Sequence, residues 1–395
     1  MGRKALSLPG WPHYGEDEIE AVAAVLRSAK GNYWFGEQGA SFEREFAKYC
    51  GVEYALAVAN GTVALELALR SLNIGPGDEV VVTPRSFIAS ANCILLCGAT
   101  PVFADVDPDN QNITAESIRD VLTDRTRAII AVHLAGWPCD MTGILEVARD
   151  HGIRVIEDCA QAHGAAVNNQ KVGSFGDVAA FSFCHDKIVS TGGEGGMLLT
   201  DDEEIWACAA AFRNHGWDPR NNVIESGDEQ FSYMHDSFGS NYRLTEMQSA
   251  IGRLQMKKLN GWLETRQKYA GIFNESLEGV NILRLTVPPP AVSHAYYKFY
   301  AFLRPEYLRE GWDRKRIIGE LKGRGVPSST GICPEIYREK AYADNGFMPA
   351  RRLPVAAELG ETSLMFPVHP TLAETDVVSM AEIVREVLLQ AGKDR

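Results

Sequence analysis

Short apolar runs alternate with longer amphipathic segments between about residues 54 and 200. The apolar runs are rich in β-branched residues and predict strands, whereas apolar residues recur at helical spacing in the longer segments. The predicted strands are YALAVAN, EVVVTP, PVFADV, RAIIAVHL, RVIEDCA, VAAFSF and GGMLLTD, and the predicted helices include GTVALELALRSLNI, SFIASANCILLCGA and MTGILEVARDHG. This alternation predicts an α/β fold in which helices cover both faces of a mostly parallel sheet.

The pattern changes in the last third of the chain. Residues 245–277 show one continuous amphipathic pattern, which predicts a long helix. The proline-rich segment 287–292 interrupts this pattern, and YYKFYAFL after it predicts a strand. We therefore expect a large N-terminal domain over residues 1–255 and a smaller α+β domain over residues 256–395.

The residues that follow the predicted strands are the first candidates for chemistry, because ligands of such sheets bind at the carboxyl ends of the strands. Lys187 follows the strand VAAFSF and precedes the glycine cluster GGEGG. Most lysines are solvated surface charges, but apolar and glycine-rich neighbours favour the desolvation of this one. A desolvated lysine can form a Schiff base with an aldehyde.

Asp158 ends the predicted strand RVIED, and two explanations are open for it. A carboxylate at the end of a strand often caps a helix or belongs to a turn. Alternatively, Asp158 is a buried anion that pairs with a cationic ring nitrogen, as the protonated pyridine of pyridoxal phosphate requires. Gln161 lies one turn further on and would then reach the phenolic oxygen of that ring.

A phosphate site is predicted where the first strand meets its helix. Asn60, Gly61 and Thr62 form a junction whose unpaired N–H groups and positive helix end suit a phosphate. An ordinary helix cap explains the same residues. Ser182 is either a second phosphate ligand or a hydrogen-bonded strand serine, and Phe87 either stacks on a planar ring or belongs to the core.

Composition and charge argue against several other classes of protein. The chain has 395 residues with 39 basic and 52 acidic ones, and its net charge of −13 argues against binding to nucleic acid. We expect neither a signal peptide nor a transmembrane helix, because the N-terminal segment has no long apolar core and the apolar runs are short. The eight cysteines show no Cys-x-x-Cys pair, which favours reduced thiols in a cytoplasmic protein without a metal site.

Five motifs, in their order along the chain, resemble the DegT/StrS family of sugar aminotransferases. They are NGTVALELAL, TPRSFIASAN, VIEDCAQAHGA, FSFCHDK followed by GEGG, and NYRLTEMQSAIG, and the similarity extends from about Trp34 to FPVHP near His369. The resemblance implies a fold-type-I homodimer that uses pyridoxal phosphate, with pyridoxamine phosphate as the form that carries the amino group. Arg85 and the pair His185 and Asp186 depart from the family pattern, and the STGGEGG loop is one residue longer than usual.

The resemblance also implies a role for each candidate residue. Lys187 would bind the cofactor covalently and move the proton, and Asp158 would pair with the pyridine nitrogen. Asn241 would reach the phosphate bound in the neighbouring subunit, so each active site would need a dimer. The implied cofactor residues are Gly61, Thr62, Phe87, Asp158, Gln161, Ser182, Lys187 and Asn241. The candidates for the sugar pocket are Tyr33, Trp34, His215, Tyr233 and Tyr296.

The reaction that the resemblance implies is amino transfer, with glutamate as the expected donor, to a keto-sugar that is most often nucleotide-linked. The product would serve the biosynthesis of amino sugars, surface polysaccharides or antibiotics. Two alternatives are an aminotransferase for a free keto-sugar or cyclitol, and a regulatory protein that binds the cofactor without catalysis. A hydrolase that pairs Ser182 or Cys184 with His185 is disfavoured, because neighbouring strand residues point to opposite faces.

Overall fold

A computed structural model describes residues 6–220 and 235–393 of the chain. The helices are α1 (Glu16–Ser28), α2 (Gln38–Cys50), α3 (Gly61–Ser71), α4 (Ala89–Leu96), α5 (Ala115–Arg119), α6 (Met141–His151), α7 (Glu203–Arg213), α8 (Glu246–Leu277), α9 (Arg314–Gly323), α10 (Lys340–Ala343), α11 (Pro354–Thr362) and α12 (Glu374–Ala391). The strands are β1 (Tyr54–Val58), β2 (Glu79–Val82), β3 (Thr100–Phe103), β4 (Thr126–Val132), β5 (Arg154–Asp158), β6 (Ala166–Val167), β7 (Gln170–Lys171), β8 (Val178–Ser182), β9 (Gly196–Thr200), β10 (Leu283–Arg284), β11 (Val292–Ser293), β12 (Phe299–Leu303) and β13 (Ser363–Phe366).

Seven strands form the central sheet, in the order β1-β9-β8-β5-β4-β2-β3. The strands from β3 to β8 in this order pair in parallel, whereas β9 runs antiparallel to both of its neighbours. The predicted α/β architecture with a mostly parallel sheet is therefore confirmed. The parallel strands end at one edge of the sheet, which is where ligands bind in such folds.

Alternate side chains of each strand reach two different cores. In β2, Val80 and Val82 pack in a core that includes residues of α3 and α4, whereas Val81 packs on the opposite face with residues of α6. All three valines are fully buried. Burial on both faces explains why the sequence of this strand is continuously apolar rather than alternating.

Helix α8 connects the central sheet with the C-terminal part of the chain. It begins with a capping box, in which the hydroxyl of Thr245 accepts a hydrogen bond from the backbone N–H of Gln248. Its C-terminal part packs with α12 and the antiparallel sheet β10-β12-β13 in a core separate from those of the central sheet. The predicted domain boundary between residues 255 and 256 lies within this helix, and it stays a prediction.

None of the helices in the two described ranges combines the length and the apolar character needed to cross a lipid bilayer. All eight cysteines lie in those ranges as free thiols, and five of them are buried. The buried thiols pack as small apolar side chains do.

Candidate active site

A cavity of about 690 Å³ lies at the carboxyl edge of the central sheet. The ends of β5 and β8, the segment after β2 and the N-terminus of α3 meet there. Seven of the eight residues predicted to bind the cofactor line this cavity, namely Gly61, Thr62, Phe87, Asp158, Gln161, Ser182 and Lys187.

Lys187 lies in the loop after β8, and its side chain is 15% exposed. Its Nζ is 3.7 Å from Asp186 Oδ1 and 4.9 Å from the ring centre of Tyr297. The hydroxyl of Tyr297 donates a hydrogen bond to the other carboxylate oxygen of Asp186. Burial works to raise the pKa of Asp186, but the charge of Lys187 and this hydrogen bond outweigh it, so the pKa is lowered. Asp186 is therefore an ionised partner beside the amine.

Asp158, at the end of β5, is a buried carboxylate held by hydrogen bonds. Ser90 Oγ donates a hydrogen bond to Asp158 Oδ2 at 2.7 Å, and the backbone N–H of Ala160 donates to Oδ1 at 3.1 Å. No basic side chain among residues 6–220 and 235–393 forms an ion pair with it. Burial raises the pKa of Asp158, although the hydrogen bond from Ser90 opposes this effect. A protonated ring nitrogen in the cavity would supply the missing positive charge.

Gln161 can offer hydrogen-bond donors to a ligand in the cavity. Its Oε1 accepts a hydrogen bond from the backbone N–H of Ala135 at 2.9 Å, which fixes the orientation of the amide. The acceptor of the side chain is therefore in use, and its NH₂ group is available for the ligand. Such a donor suits a phenolic or phenolate oxygen.

The N-terminus of α3 lies directly against the end of β8. A Cβ on Gly61 would be 2.6 Å from the Cβ of Ser182, so a glycine is needed for this approach. Asn60 caps the helix, because its Oδ1 accepts a hydrogen bond from the N–H of Val63 at 3.0 Å. This confirms the capping explanation for Asn60 and leaves Gly61, Thr62 and Ser182 around the positive end of the helix, where a phosphate binds well.

Phe87 and Arg85 follow β2 but have different surroundings. Phe87 lines the cavity and is 60% exposed, which contradicts the explanation that it belongs to the core. Arg85 is fully buried, and it donates hydrogen bonds to Gln111 at 2.9 Å and to Ser363 at 3.1 Å. It connects the end of β2 with the start of β13, and it does not line the cavity.

Ser90 and Tyr297 contact predicted residues, but they were not predicted from the sequence. Ser90 follows Ser86 by four residues, and their hydroxyl oxygens are 2.8 Å apart. Two serines at helical spacing after a strand end are a signal that could have identified Ser90. No comparable signal distinguishes Tyr297 from its neighbour Tyr296.

Three of the sugar-pocket candidates do not line the cavity. The hydroxyl of Tyr33 donates a hydrogen bond to Glu43 at 2.7 Å. Tyr296 stacks on His294, with ring centres 3.9 Å apart. His215 is exposed on the surface. A further candidate, Tyr233, lies outside the described residues.

Asn241 lies in a cluster that surrounds the buried side chain of Asn214, and we call this cluster the polar–aromatic patch. Asn241 forms a β-bridge with Asn214, whose side chain accepts a hydrogen bond from Arg243 at 3.2 Å. Arg243 lies 5.9 Å from a ring centre of Trp34, and the N–H of His215 donates to the carbonyl of Ser240 at 3.0 Å. The patch consists of Trp34, Asn214, His215, Asn241 and Arg243. It brings three predicted site residues together, but it does not line the cavity of its own chain.

The described residues include one buried cluster with the donor types of a metal site, formed by His133, Glu157 and Cys159. The Nδ1 of His133 accepts a hydrogen bond from the N–H of Cys139 at 2.9 Å, and its Nε2 lies 3.0 Å from Glu157 Oε2. Glu157 also accepts three backbone N–H groups. These hydrogen bonds occupy the nitrogen and oxygen atoms that a metal ion would need, so we interpret the cluster as structural.

His185 is exposed, and it makes no hydrogen bond with Ser182 or Cys184 in the part of the chain that the structure describes. Among the described residues, His185 is therefore not paired with either candidate nucleophile in the way a hydrolase requires.

Comparison with known proteins agrees with this geometry. The model of the DegT/DnrJ/EryC1/StrS aminotransferase family matches residues 12–385. The chain belongs to this family. It is 39% identical over 374 residues to the UDP-N-acetyl-3-dehydro-α-D-glucosamine 3-aminotransferase of Acidithiobacillus ferrooxidans, a match that covers 94% of each chain. It is also 39% identical to the GDP-perosamine synthase of Caulobacter vibrioides, over 88% of this chain and 89% of the synthase.

A solved structure of an aminotransferase from Psychrobacter cryohalolentis is 45% identical, with a TM-score of 0.95 over 98% of this chain and 100% of the other. Membership of the DegT/DnrJ/EryC1/StrS family makes the protein a pyridoxal-phosphate-dependent aminotransferase of fold type I. The cavity fits that cofactor at both of its ends. The unpaired Asp158 suits the ring nitrogen, and the helix end at Gly61 suits the phosphate.

Proposed function

We propose that this aminotransferase transfers an amino group from glutamate to a nucleotide-linked keto-sugar in amino-sugar biosynthesis. The observation that carries the proposal is a single cavity that combines the amine of Lys187, the unpaired carboxylate of Asp158 and the helix end at Gly61. The relatives support the sugar class, because both named relatives that were compared have UDP- or GDP-linked sugars in their names. Glutamate would leave as its keto acid, and the sugar would gain the amine.

The cavity residues would hold the cofactor at four points. Phe87 would stack on one face of the ring, and Gln161 would donate a hydrogen bond to the phenolic oxygen. Asp158 would keep the ring nitrogen protonated, while Thr62 and Ser182 would bind the phosphate with the N–H groups of α3. When bound, pyridoxal phosphate supplies an aldehyde that accepts amino groups and a positively charged ring that withdraws electrons.

Lys187 has the position of the group that moves the proton. Its Nζ would take the proton from the carbon that carries the donor's amino group, and it would deliver a proton to the sugar carbon in the second half of the reaction. Asp186 and Tyr297 restrict where this amine can go, because one lies 3.7 Å from Nζ and the ring of the other lies 4.9 Å away. A side chain held at two points is better placed for proton transfer than one free in solvent.

The polar–aromatic patch supports a homodimer with shared active sites. Asn241 lines no part of its own cavity, and it shares the patch with Trp34 and His215. In a dimer with twofold symmetry, the patch of one subunit would lie over the cavity of the other. Asn241 would then reach the partner's phosphate, and Trp34, His215 and Tyr33 would approach the sugar. Tyr296 stays a candidate, and Tyr233 stays one outside the described residues.

None of the eight cysteines, all of which lie in the described ranges, forms a disulfide. This supports the cytoplasm as the compartment of the proposed reaction, because disulfides are rare there.

The proposal is tested by incubation of the purified holoenzyme with glutamate and a panel of UDP-, GDP- and dTDP-linked keto-sugars, a free keto-sugar and a keto-cyclitol. Mass spectrometry detects the aminated product. We expect a product from at least one nucleotide-linked sugar, and none with Lys187→Ala. The control Lys48→Ala, on the exposed side of α2, retains full activity. Cofactor binding without any aminated product would favour a regulatory protein, and amination of the free sugar or cyclitol alone would change the substrate class.

A further inference from the structure

Residues 6–15, which precede α1, connect the loop of Lys187 with the C-terminal part of the protein. We call these residues the N-terminal strap. The carbonyl of Gly10 accepts a hydrogen bond from Thr371 at 2.9 Å, and the hydroxyl of Tyr14 lies 2.9 Å from that of Ser190, three residues after Lys187. The strap therefore contacts both the loop of Lys187 and the C-terminal part of the chain, although it has no regular secondary structure.

The central contact of the strap is between Trp11 and Lys187. The indole Nε1–H of Trp11 donates a hydrogen bond to the backbone carbonyl of Lys187 at 2.7 Å. An indole has no other polar atom, and its ring has few rotamers, so the direction of this bond is well determined. The N–H of Lys187 donates to the carbonyl of Cys184 at 3.1 Å. Both polar groups of the Lys187 backbone are therefore engaged.

Trp11 is also linked to the amine of Lys187 through Arg266 and Tyr297. The guanidinium of Arg266 lies 5.1 Å from a ring centre of Trp11, and it donates hydrogen bonds to the carbonyls of Tyr296 and Tyr297 at 3.2 Å. The ring of Tyr297 in turn lies 4.9 Å from Lys187 Nζ. Trp11 thus contacts the main chain of Lys187 directly. Through Arg266 it is also linked to Tyr297, whose ring lies beside the amine.

Two further rings hold the indole in place. Trp262, on α8, meets Trp11 edge-on with ring centres 5.1 Å apart. His369 lies nearly parallel to Trp11, with ring centres 6.1 Å apart. These contacts come from two different parts of the fold, which makes the orientation of Trp11 depend on the packing between them.

We propose that Trp11 is a positioning residue for Lys187. Its N–H holds the carbonyl of Lys187, and through it the direction in which the amine leaves the main chain. Trp11 does not line the cavity. This inference rests on the proposed role of Lys187. When an amine moves a proton between two carbon atoms, displacement of the amine by even a fraction of an ångström slows the reaction.

A purely structural role for Trp11 is the alternative, and two substitutions distinguish it from positioning. Trp11→Phe keeps a large ring but loses the N–H. Trp11→His loses the second ring but keeps a nitrogen at the same place, because the imidazole overlays the five-membered part of the indole. The nearby cation of Arg266 favours the neutral imidazole, which has one N–H to donate. If Trp11 only fills space, the Phe variant should have a kcat closer to that of the wild type than the His variant has. If Trp11 positions Lys187, the His variant should have the kcat closer to that of the wild type.

The experiment compares both variants with Trp312→Phe, a control that loses an indole N–H at the C-terminal core and away from the contacts of Trp11. We measure unfolding in urea, kcat and KM for the keto-sugar, and the pH midpoint of the visible absorbance band of the lysine–cofactor linkage. All rates are compared at conditions where every variant is fully folded.

We expect kcat of Trp11→Phe to fall about 10- to 100-fold with KM nearly unchanged, and its absorbance midpoint to shift. Trp11→His recovers most of the kcat and most of the absorbance midpoint, although it is less stable in urea, and Trp312→Phe resembles the wild type. A Trp11→Phe variant with the kcat and midpoint of the control overturns the inference, as does a His variant that performs worse than Phe. If the wild type aminates no sugar, the proposed function fails, and the absorbance midpoints still test the positioning of Lys187.

Discussion

Ser90 donates a hydrogen bond to Oδ2 of Asp158 at 2.7 Å, and its own oxygen lies 2.8 Å from the hydroxyl of Ser86. Since Ser90 donates its only proton to the carboxylate, it accepts from Ser86. The two serines form a short chain of hydrogen bonds that stabilises the ionised form of a buried acid. They extend from the segment after β2 to the end of β5, and so they connect the two strand ends that contribute Phe87 and Asp158.

Replacement of Ser90 by Ala is expected to weaken cofactor binding about tenfold, because a hydrogen bond to a charged group contributes about 1.5 kcal/mol. Loss of this bond raises the pKa of Asp158 further, so the defect grows as the pH falls. Titration of the apoenzyme with pyridoxal phosphate from pH 8 to pH 6 measures it. Ser86→Ala is the matched control, since it leaves the bond to Asp158 in place. Equal affinities of the two variants would contradict the role of Ser90.

The close approach of Gly61 to Ser182 predicts a paired effect on stability. A Cβ at position 61 would lie 2.6 Å from Ser182 Cβ and 3.2 Å from its Cα, so Gly61→Ala forces α3 away from β8. We expect a loss of about 1–3 kcal/mol in the free energy of unfolding, as for other overpacked sites. Ser182→Gly in the same chain removes the nearest atom, and we expect it to recover part of the lost free energy of unfolding. Urea unfolding of the apoenzyme and a double-mutant cycle measure the coupling, and additive effects would show that the two residues do not meet.

The strand ends that carry Asp158 and Ser182 could be predicted from sequence, because buried parallel strands have an apolar signature and their last residues share one edge. The reversal of β9 could not, because GGMLLTD is as apolar as its parallel neighbours and its direction depends on the chain connections. The positions of Tyr33, Trp34 and His215 relative to the cavity could not be predicted from the sequence either. Residue type and order along the chain contain no information about which cavity a surface residue meets, whether in its own chain or in a second copy.

Glu157 is expected to stabilise the fold in a pH-dependent way. Burial works to raise its pKa, but the hydrogen bonds from His133 and the backbone outweigh it, so the pKa lies below its ordinary value of 4.5. Its contribution is therefore complete above about pH 4.5 and is lost as the pH falls through the lowered pKa.

Glu157→Gln is expected to cost about 3 kcal/mol at pH 7, because an NH₂ group would face donors that now bind a carboxylate, and the difference from wild type should shrink below about pH 4. Urea unfolding of both proteins at pH 7 and at a pH below about 4 tests this expectation. Glu116→Gln, at an exposed position of α5, is the control and should change stability by less than about 0.5 kcal/mol. A Glu157→Gln defect of the same size at both pH values would mean that shape, and not charge, is what the cluster requires.

Separation of Asn241 from its own cavity predicts complementation between two inactive subunits. Lys187→Ala destroys the site that contains the altered lysine, whereas Asn241→Ala damages the site of the partner if the amide crosses the interface. In a mixed dimer of the two variants, both lesions then fall in one site and the other site is intact. We expect the mixed dimer to show about half of the wild-type activity, since one of its two sites is whole. Co-expression with two different affinity tags isolates it, and each variant alone serves as the control. If Asn241 acted within its own chain, each site of the mixed dimer would keep one lesion, and its activity would not exceed that of the Asn241→Ala dimer.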